Sequence, residues 1–296
     1  MGNTITAIIL TFNEEKHIER CIKSLDGVCG DILVVDSFST DATCSMAERL
    51  GARVVQHEFQ NQAQQFNWAI DNCPIPSEWI WRVDADEYVE EKLALGVKKT
   101  LESCPADVNG IYVNKKIIFM GKPLKHGGWY PAQQIKVIRK GYGRSENKPM
   151  DEHLVITQGQ TISIDGDQTD ENLNDLSWWT AKHNNYASRE ALNMLAMSYG
   201  IDNAENEVEP KLFGNGAQRK RWLKIKYARM PLFIRPYCNY LVRYIFMGGF
   251  LDFNKKWYVL QCYWYRYLVD AKIYELKKRF NFDDEKIKAY ILEHYK

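Results

Sequence analysis

Two continuous apolar runs open the chain, residues 6–11 (TAIILT) and 31–36 (DILVVD). Runs of this length, rich in β-branched side chains, fit strands buried on both faces. Between them Ile18, Cys21, Ile22 and Leu25 recur at helical spacing, with Asn13 placed as a cap and Glu14 and Glu15 in the first turn. The alternation continues with a helix from a cap at Ser39 or Thr40 through Leu50, closed by Gly51, and a strand at 52–56. Residues 61–72 suit a helix that turns Ala63, Phe66 and Ile70 inward, and residues 78–83 (EWIWRV) suit a fourth strand. Strands alternating with helices of about ten residues imply βαβ units and a mostly parallel sheet.

Beyond residue 110 the pattern changes. Residues 110–118 and 134–139 read as strands around the Gly-rich stretch KHGGWY, and residues 172–199 read as largely helical, ending near Gly200. Past Pro210 the chain turns basic and aromatic. The expected layout is α/β: a mixed, mostly parallel sheet flanked by helices in residues 1–210, then a helical basic-aromatic extension over 211–296. No G-x-G-x-x-G follows the first strand, so the dinucleotide-binding fingerprint is absent.

Charge sharpens this picture. The 296 residues carry 39 basic and 38 acidic side chains, a balance that argues against a protein coating nucleic acid by bulk charge. Neutrality hides two opposed blocks. Residues 151–210 hold two Lys or Arg against twelve Asp or Glu, and residues 211–256 hold eleven against one. No apolar run approaches the roughly 20 residues of a membrane-spanning helix. The N-terminus has neither a basic leader nor a small-residue cleavage site, and seven dispersed cysteines read as reduced thiols, so a cytoplasmic location is expected.

Ligands of open parallel sheets bind beyond the carboxyl ends of the strands. Those ends deliver Thr11, Asn13 and Glu14, then Asp36, then Asp84 and Asp86. The two acids of D-x-D are hard oxygen ligands suited to magnesium or manganese, although so short a motif also describes a solvated turn. Gln62, Gln64, Gln65 and Asn67 crowd one helix. Asn67 is the candidate for ribose or sugar hydroxyls, and the glutamines read as an exposed polar face. Trp129 and Tyr130 suit either a sugar platform or a buried turn. His183 reads either as a diphosphate contact or as part of an exposed helix face.

Taken as an ordered series, TFNEE, VVDSFSTDAT, Asn67 and DADE resemble the nucleotide-sugar-binding half of glycosyltransferase family 2. HGGWYPAQQIKVIRK, KPMDEHL and WWTAKHNNYASREA look like segments of bacterial members that build lipopolysaccharide core, O-antigen or capsule. RPYCNYLVRYIFMGGFLDF looks like the membrane-proximal tail of the same enzymes. The resemblance implies a GT-A fold and inverting transfer of a sugar from a nucleoside diphosphate, usually UDP. It divides residues 1–210 into a nucleotide-sugar half, 1–90, and an acceptor half, 91–210.

Carried over, Thr11, Asn13 and Glu14 lie around the nucleoside, and Asp36 reads the uracil or ribose. Asp84 sits near ribose and metal, and Asp86 ligates a divalent cation, manganese or magnesium. The general base falls in Asp151-Glu152-His153. This run reads D-E-H where the family has E-D, so Glu152 is the first choice and Asp151 the second. His153 is either a metal ligand or a packing residue.

Basic residues interleaved with aromatics in the tail suit the headgroup layer of an anionic membrane, and a solvated basic helix face is the alternative. The expected partners are a UDP-sugar donor, a lipid-linked glycan acceptor and a membrane surface on the cytoplasmic side, with no nucleic acid. Two rivals remain: transfer to polyprenyl phosphate itself, and a non-catalytic nucleotide-sugar-binding membrane module.

Overall fold

The two opening apolar runs become adjacent parallel strands, β1 (Ile5–Thr11) and β2 (Asp31–Asp36). The structure, a computed structural model, describes residues 5–146, 153–201, 211, 213 and 216–294. It divides into two compact units, Met1–Asn174 and Asp175–Lys296.

In the first unit the elements follow in the order α1 (Ile18–Ser24), α2 (Thr43–Arg49), β3 (Arg53–Gln56), α3 (Gln62–Asn72), β4 (Trp79–Asp84), β5 (Glu87–Val89) and α4 (Glu91–Glu102), with β2 between the first two helices. Then come β6 (Val108–Phe119), β7 (Lys122–Pro123), β8 (Ala132–Arg139), β9 (Gly143–Ser145), β10 (Leu154–Ile156) and β11 (Gln160–Glu171). Among the described residues nine strands share one sheet, ordered β3-β2-β1-β4-β8-β6-β11-β5, with β7 beside β6. The first four are mutually parallel; β8 runs antiparallel to both β4 and β6, and β11 is parallel to β6. The separate pair β9 and β10 is antiparallel.

Alternation along β1 explains the layering. Ile5, Ala7 and Ile9 join one core with Ile18, Cys21, Ile22 and Leu25 of the α1 segment and Leu93, Ala94 and Val97 of α4. Ile8 faces the other way, with Leu33, Val35, Ile80 and the α3 residues Phe66 and Ala69. Both faces are covered, which is why the parallel strands read as unbroken apolar runs.

The helix starts differ from expectation. Asn13 does not cap α1: it sits at φ +55°, and its Oδ1 accepts from the Thr40 N–H at 2.9 Å. α2 begins at Thr43, because Ser39 turns back to Asp36 while Asp41 accepts from the Thr43 N–H at 3.0 Å. α3, by contrast, carries a side-chain cap, with Asn61 accepting from the Gln64 N–H at 2.8 Å. β11 carries no continuous apolar run, because its first half is largely solvated and its register on β6 shifts between Ser163 and Asp167. Gly166 lies in that shift at φ +132°, where a Cβ would come within 2.6 Å of the Leu93 backbone.

The second unit is helical: α5 (Leu176–Tyr199), α6 (Gly216–Ala228), α7 (Arg235–Leu241), the short α8 (Lys255–Trp257), α9 (Tyr265–Arg279) and α10 (Asp284–His294). π-helical turns occupy Val242–Phe246 and Tyr258–Trp264, and a 3₁₀ turn occupies Gly249–Asp252. Asp175 caps α5, and Gly200 ends it at φ +69°. Ala187, Ala191, Met194 and Leu195 of α5 pack on Val269 and Ile273 of α9 and on Ile287 and Ile291 of α10. The packing boundary thus precedes the compositional change near Pro210, because α5 buries its apolar stripe among the C-terminal helices. Arg235 and Asp270, each about 1% exposed, pair inside this unit, where Asp270 also accepts from the Phe233 N–H at 2.7 Å. Among the described residues no helix is long and apolar enough to cross a membrane.

Candidate functional site

Strand register brings the motif-bearing ends together. Thr11 pairs with Asp36 across β1 and β2, and Leu10 pairs with Asp84 across β1 and β4. Thr11, Asp36 and Asp84 therefore end three adjacent parallel strands on one edge. Asp36 is fully buried and accepts hydrogen bonds from Thr11 Oγ1 at 3.1 Å, Ser39 Oγ at 2.5 Å, the Ser39 N–H at 2.8 Å and Gln56 Nε2 at 3.1 Å. Burial alone would raise its pKa; the hydrogen bonds from Ser39, Gln56 and Cys44 outweigh it and hold the carboxyl below the usual range.

Asn13 and Glu14 brace the same loops. The Asn13 N–H donates to Ser39 Oγ at 2.8 Å and the Glu14 N–H to Thr43 Oγ1 at 2.8 Å. The Glu14 carboxylate meets His17 Nδ1 at 2.5 Å, while His17 Nε2 accepts from the Leu173 N–H at 2.8 Å. With Nε2 accepting, the imidazole proton sits on Nδ1 and is donated to Glu14. Fully buried His17 thus ties the loop after β1 to the chain after β11.

The acidic motif occupies the turn between β4 and β5. Asp84 and Asp86 are half-buried on either side of buried Ala85. Asn172 Nδ2 donates to Asp86 Oδ2 at 3.2 Å, and the Asp86 carbonyl accepts from Arg20 at 3.3 Å and from the Glu171 N–H at 3.2 Å.

Beneath the motif lies an alternating chain of charges that sequence reading did not single out. Arg82 approaches Asp84 at 4.0 Å, and Lys136 Nζ lies 3.6 Å from Asp84 and 2.8 Å from Glu87. Lys115 then bridges Glu87 at 3.4 Å and Asp170 at 2.8 Å. Glu87 is fully buried and also accepts from Gln168 Nε2 at 2.5 Å and the Asp84 N–H at 3.2 Å. Burial works against the Lys115 charge, but Asp170, Glu87 and Asp84 together raise its pKa well above the ordinary value. Three cations and three anions balance, which is the condition for burying charge. The available signal was charged residues at inward positions of otherwise apolar strands: Arg82 in WIWRVD and Lys136 in AQQIKVIR.

The donor set has limits. Asp84 and Asp86 supply two hard carboxylates, enough for a magnesium- or manganese-type ion whose other ligands are diphosphate and water. Among the described residues no group of three or more His, Cys, Asp or Glu side chains comes together as a metal cage. His153 does not complete one: it is exposed beside β10, and its carbonyl accepts from the Glu146 N–H at 2.9 Å. Asp151 and Glu152 lie outside the described residues.

Other candidates have structural partners. Asn67 donates to the Ser145 carbonyl and accepts from the Ser145 N–H, both at 2.9 Å, which commits its amide to β9. Gln65 is buried rather than exposed, and its Nε2 donates to Ser37 at 3.2 Å and to the His57 carbonyl at 3.1 Å. The Tyr130 hydroxyl donates to Asp167 at 2.9 Å; burial, then Asp167, push its pKa up to about 12. His183 stacks on Trp179 at 3.6 Å and bonds its carbonyl at 2.9 Å, a packed histidine of the second unit whose pKa burial lowers.

Comparison with known proteins follows the same segments. The sequence model for glycosyl transferase family 2 matches residues 6–137, from β1 nearly to the end of β8. An uncharacterized glycosyltransferase of Rickettsia bellii is 40% identical over 89 residues, which cover 30% of each chain. The lipopolysaccharide core biosynthesis glycosyltransferase LpsC of Rhizobium meliloti is 23% identical over 288 residues, 95% of this chain and 96% of its own. Among solved structures, glucosyl-3-phosphoglycerate synthase of Mycobacterium tuberculosis aligns at 23% identity and a TM-score of 0.32, over 38% of this chain and 44% of that one. The motif-bearing ends of β1, β2 and β4 all fall inside the segment, residues 6–137, that the glycosyl transferase family 2 model matches.

Proposed function

We propose that this protein is an inverting glycosyltransferase. It moves a sugar from a UDP-sugar to a lipid-linked glycan of the lipopolysaccharide, O-antigen or capsule kind, at the cytoplasmic face of the membrane. The observation that carries the reading is the alignment of Thr11, Asp36 and Asp84 on three adjacent parallel strand ends, with Asp86 in the turn that follows. End-to-end similarity to LpsC supports the acceptor class. Free cysteines throughout the described chain fit a reducing compartment.

In this reading Thr11, Asn13, Glu14 and Asp36 shape the nucleoside pocket, and Asn67 holds its far wall through β9. Asp86, with Asp84, would hold the divalent cation, manganese or magnesium, which stabilises charge developing on the departing diphosphate. Glu152 takes the proton of the acceptor hydroxyl as its oxygen bonds to the anomeric carbon, while the bond from that carbon to the diphosphate breaks on the opposite face. Asp151 is the second choice for this base.

A screen of UDP-sugars for binding and hydrolysis, with manganese and with magnesium, tests the donor half. Metal-dependent binding is expected, and Asp86→Asn should lower kcat/KM by roughly a hundredfold or more. UDP binding without transfer, unchanged in that variant, would instead favour a non-catalytic binding module.

A further inference from the structure

Between α7 and α8 the second unit turns large apolar side chains outward. Phe246 is 80% exposed, and Ile245, Met247, Phe250 and Leu251 are each 46–50% exposed. The backbone beneath them is braced. Gly248 reverses the chain at φ +72°, and Gly249 is buried so closely that a Cβ would lie 2.4 Å from the Tyr258 ring. The Tyr258 hydroxyl donates to Asp252 at 2.6 Å, and the Tyr244 ring packs on Tyr258 and Phe250 at 5.3 and 6.4 Å. Single exposed apolar residues need no explanation, but five within seven positions on a fixed turn mark an interaction surface.

Charge indicates what covers it. Residues 211–256 contain eleven Lys and Arg and one acid. Lys226, Arg229, Lys255 and Lys256 are exposed, the last two directly after the turn. A second copy of this chain would bring two basic blocks together, whereas anionic lipid headgroups complement them.

We propose that residues 242–253 form a wedge that enters the interfacial layer of an anionic bilayer, with the flanking cations on lipid phosphates. The wedge lies in the interface rather than across it, since no described helix is long and apolar enough to span. This deepens the proposed function and rests on it for the acceptor's place at the membrane; the surface itself stands on the exposed turn and its charge.

The test uses the full chain with phosphatidylethanolamine vesicles, with and without phosphatidylglycerol. Binding should require the anionic lipid, weaken with salt, and fall at least tenfold in the double variant Phe246→Ser, Phe250→Ser. Each of Lys255→Gln and Lys256→Gln should cost roughly fivefold. Hydrogen exchange should show the amides of residues 242–253 protected on vesicle addition, a readout that needs no variant. Equal binding by the double variant, or binding without that protection, overturns the proposal. So does concentration-dependent dimerisation that the double variant abolishes, without vesicle capture. UDP-sugar hydrolysis, measured without vesicles, should be unchanged in these variants, so loss of docking and failure of the transfer reading are separable.

Discussion

Asp36 combines full burial with hydrogen-bond donors from Thr11, Ser39, Gln56 and Cys44, and those donors decide its behaviour. Its folded pKa lies below the unfolded one, so its contribution is present above the unfolded carboxylate pKa near 3.9 and is lost as pH falls through the folded value. Asp36→Asn places an NH₂ where donors already point and should destabilise by about 1–3 kcal/mol at neutral pH. Urea unfolding should also show that the variant has lost part of the wild-type decline in stability below about pH 4. Asp36 was legible as a strand-end acid; its saturation by Ser39 and Gln56 was not, because those partners come from a loop and a neighbouring strand. Glu87 was harder to read still. The fourth letter of DADE drew no role from its place in the sequence, yet it is the buried hub between Lys136 and Lys115.

At the scale of elements, period and composition located β1, β2, β4, α1 and α3, and missed β11. A strand with one solvated face and a shifted register has neither a continuous apolar run nor clean alternation. Gly166 makes that strand possible, since at φ +132° it lets the backbone approach Leu93 of α4. Gly166→Ala should destabilise by about 2–4 kcal/mol, through backbone strain and the clash together. Thermal unfolding would register it as a lowered Tm. Because β11 ends at Glu171, beside the Asp86 carbonyl, the same variant should weaken UDP binding; unchanged affinity would show that β11 does not shape the site. Helix starts differ from the sequence pattern for a related reason: Asn13 and Ser39 have cap-forming side chains, but Asn13 accepts from Thr40 in the neighbouring loop and Ser39 turns back to Asp36.

For the whole molecule, the near-neutral total conceals an acidic stretch around the proposed base and a basic stretch around the wedge. The proposed chemistry needs a base opposite the diphosphate, and replacing Glu152 and Asp151 separately by Ala tests its placement. Glu152→Ala should lower kcat by about 10²–10⁴ while UDP binding persists, and Asp151→Ala should do little. Full transfer by both variants would reject the assignment and favour a phosphate acceptor, which requires no base.

What the amino-acid order determined by itself was local and additive: apolar period, strand ends, the acidic motif, the ordered series of motifs and the opposed charge blocks. Each of these is a property of residues close together in the chain. Tertiary structure alone decided which polar groups meet. Lys136 reaches Asp84 and Glu87 across about fifty residues, His17 links Glu14 to Leu173, and α5 leaves the first unit to pack with the C-terminal helices. A buried charge must find its counter-charge wherever the fold brings one, and no spacing along the chain encodes that meeting.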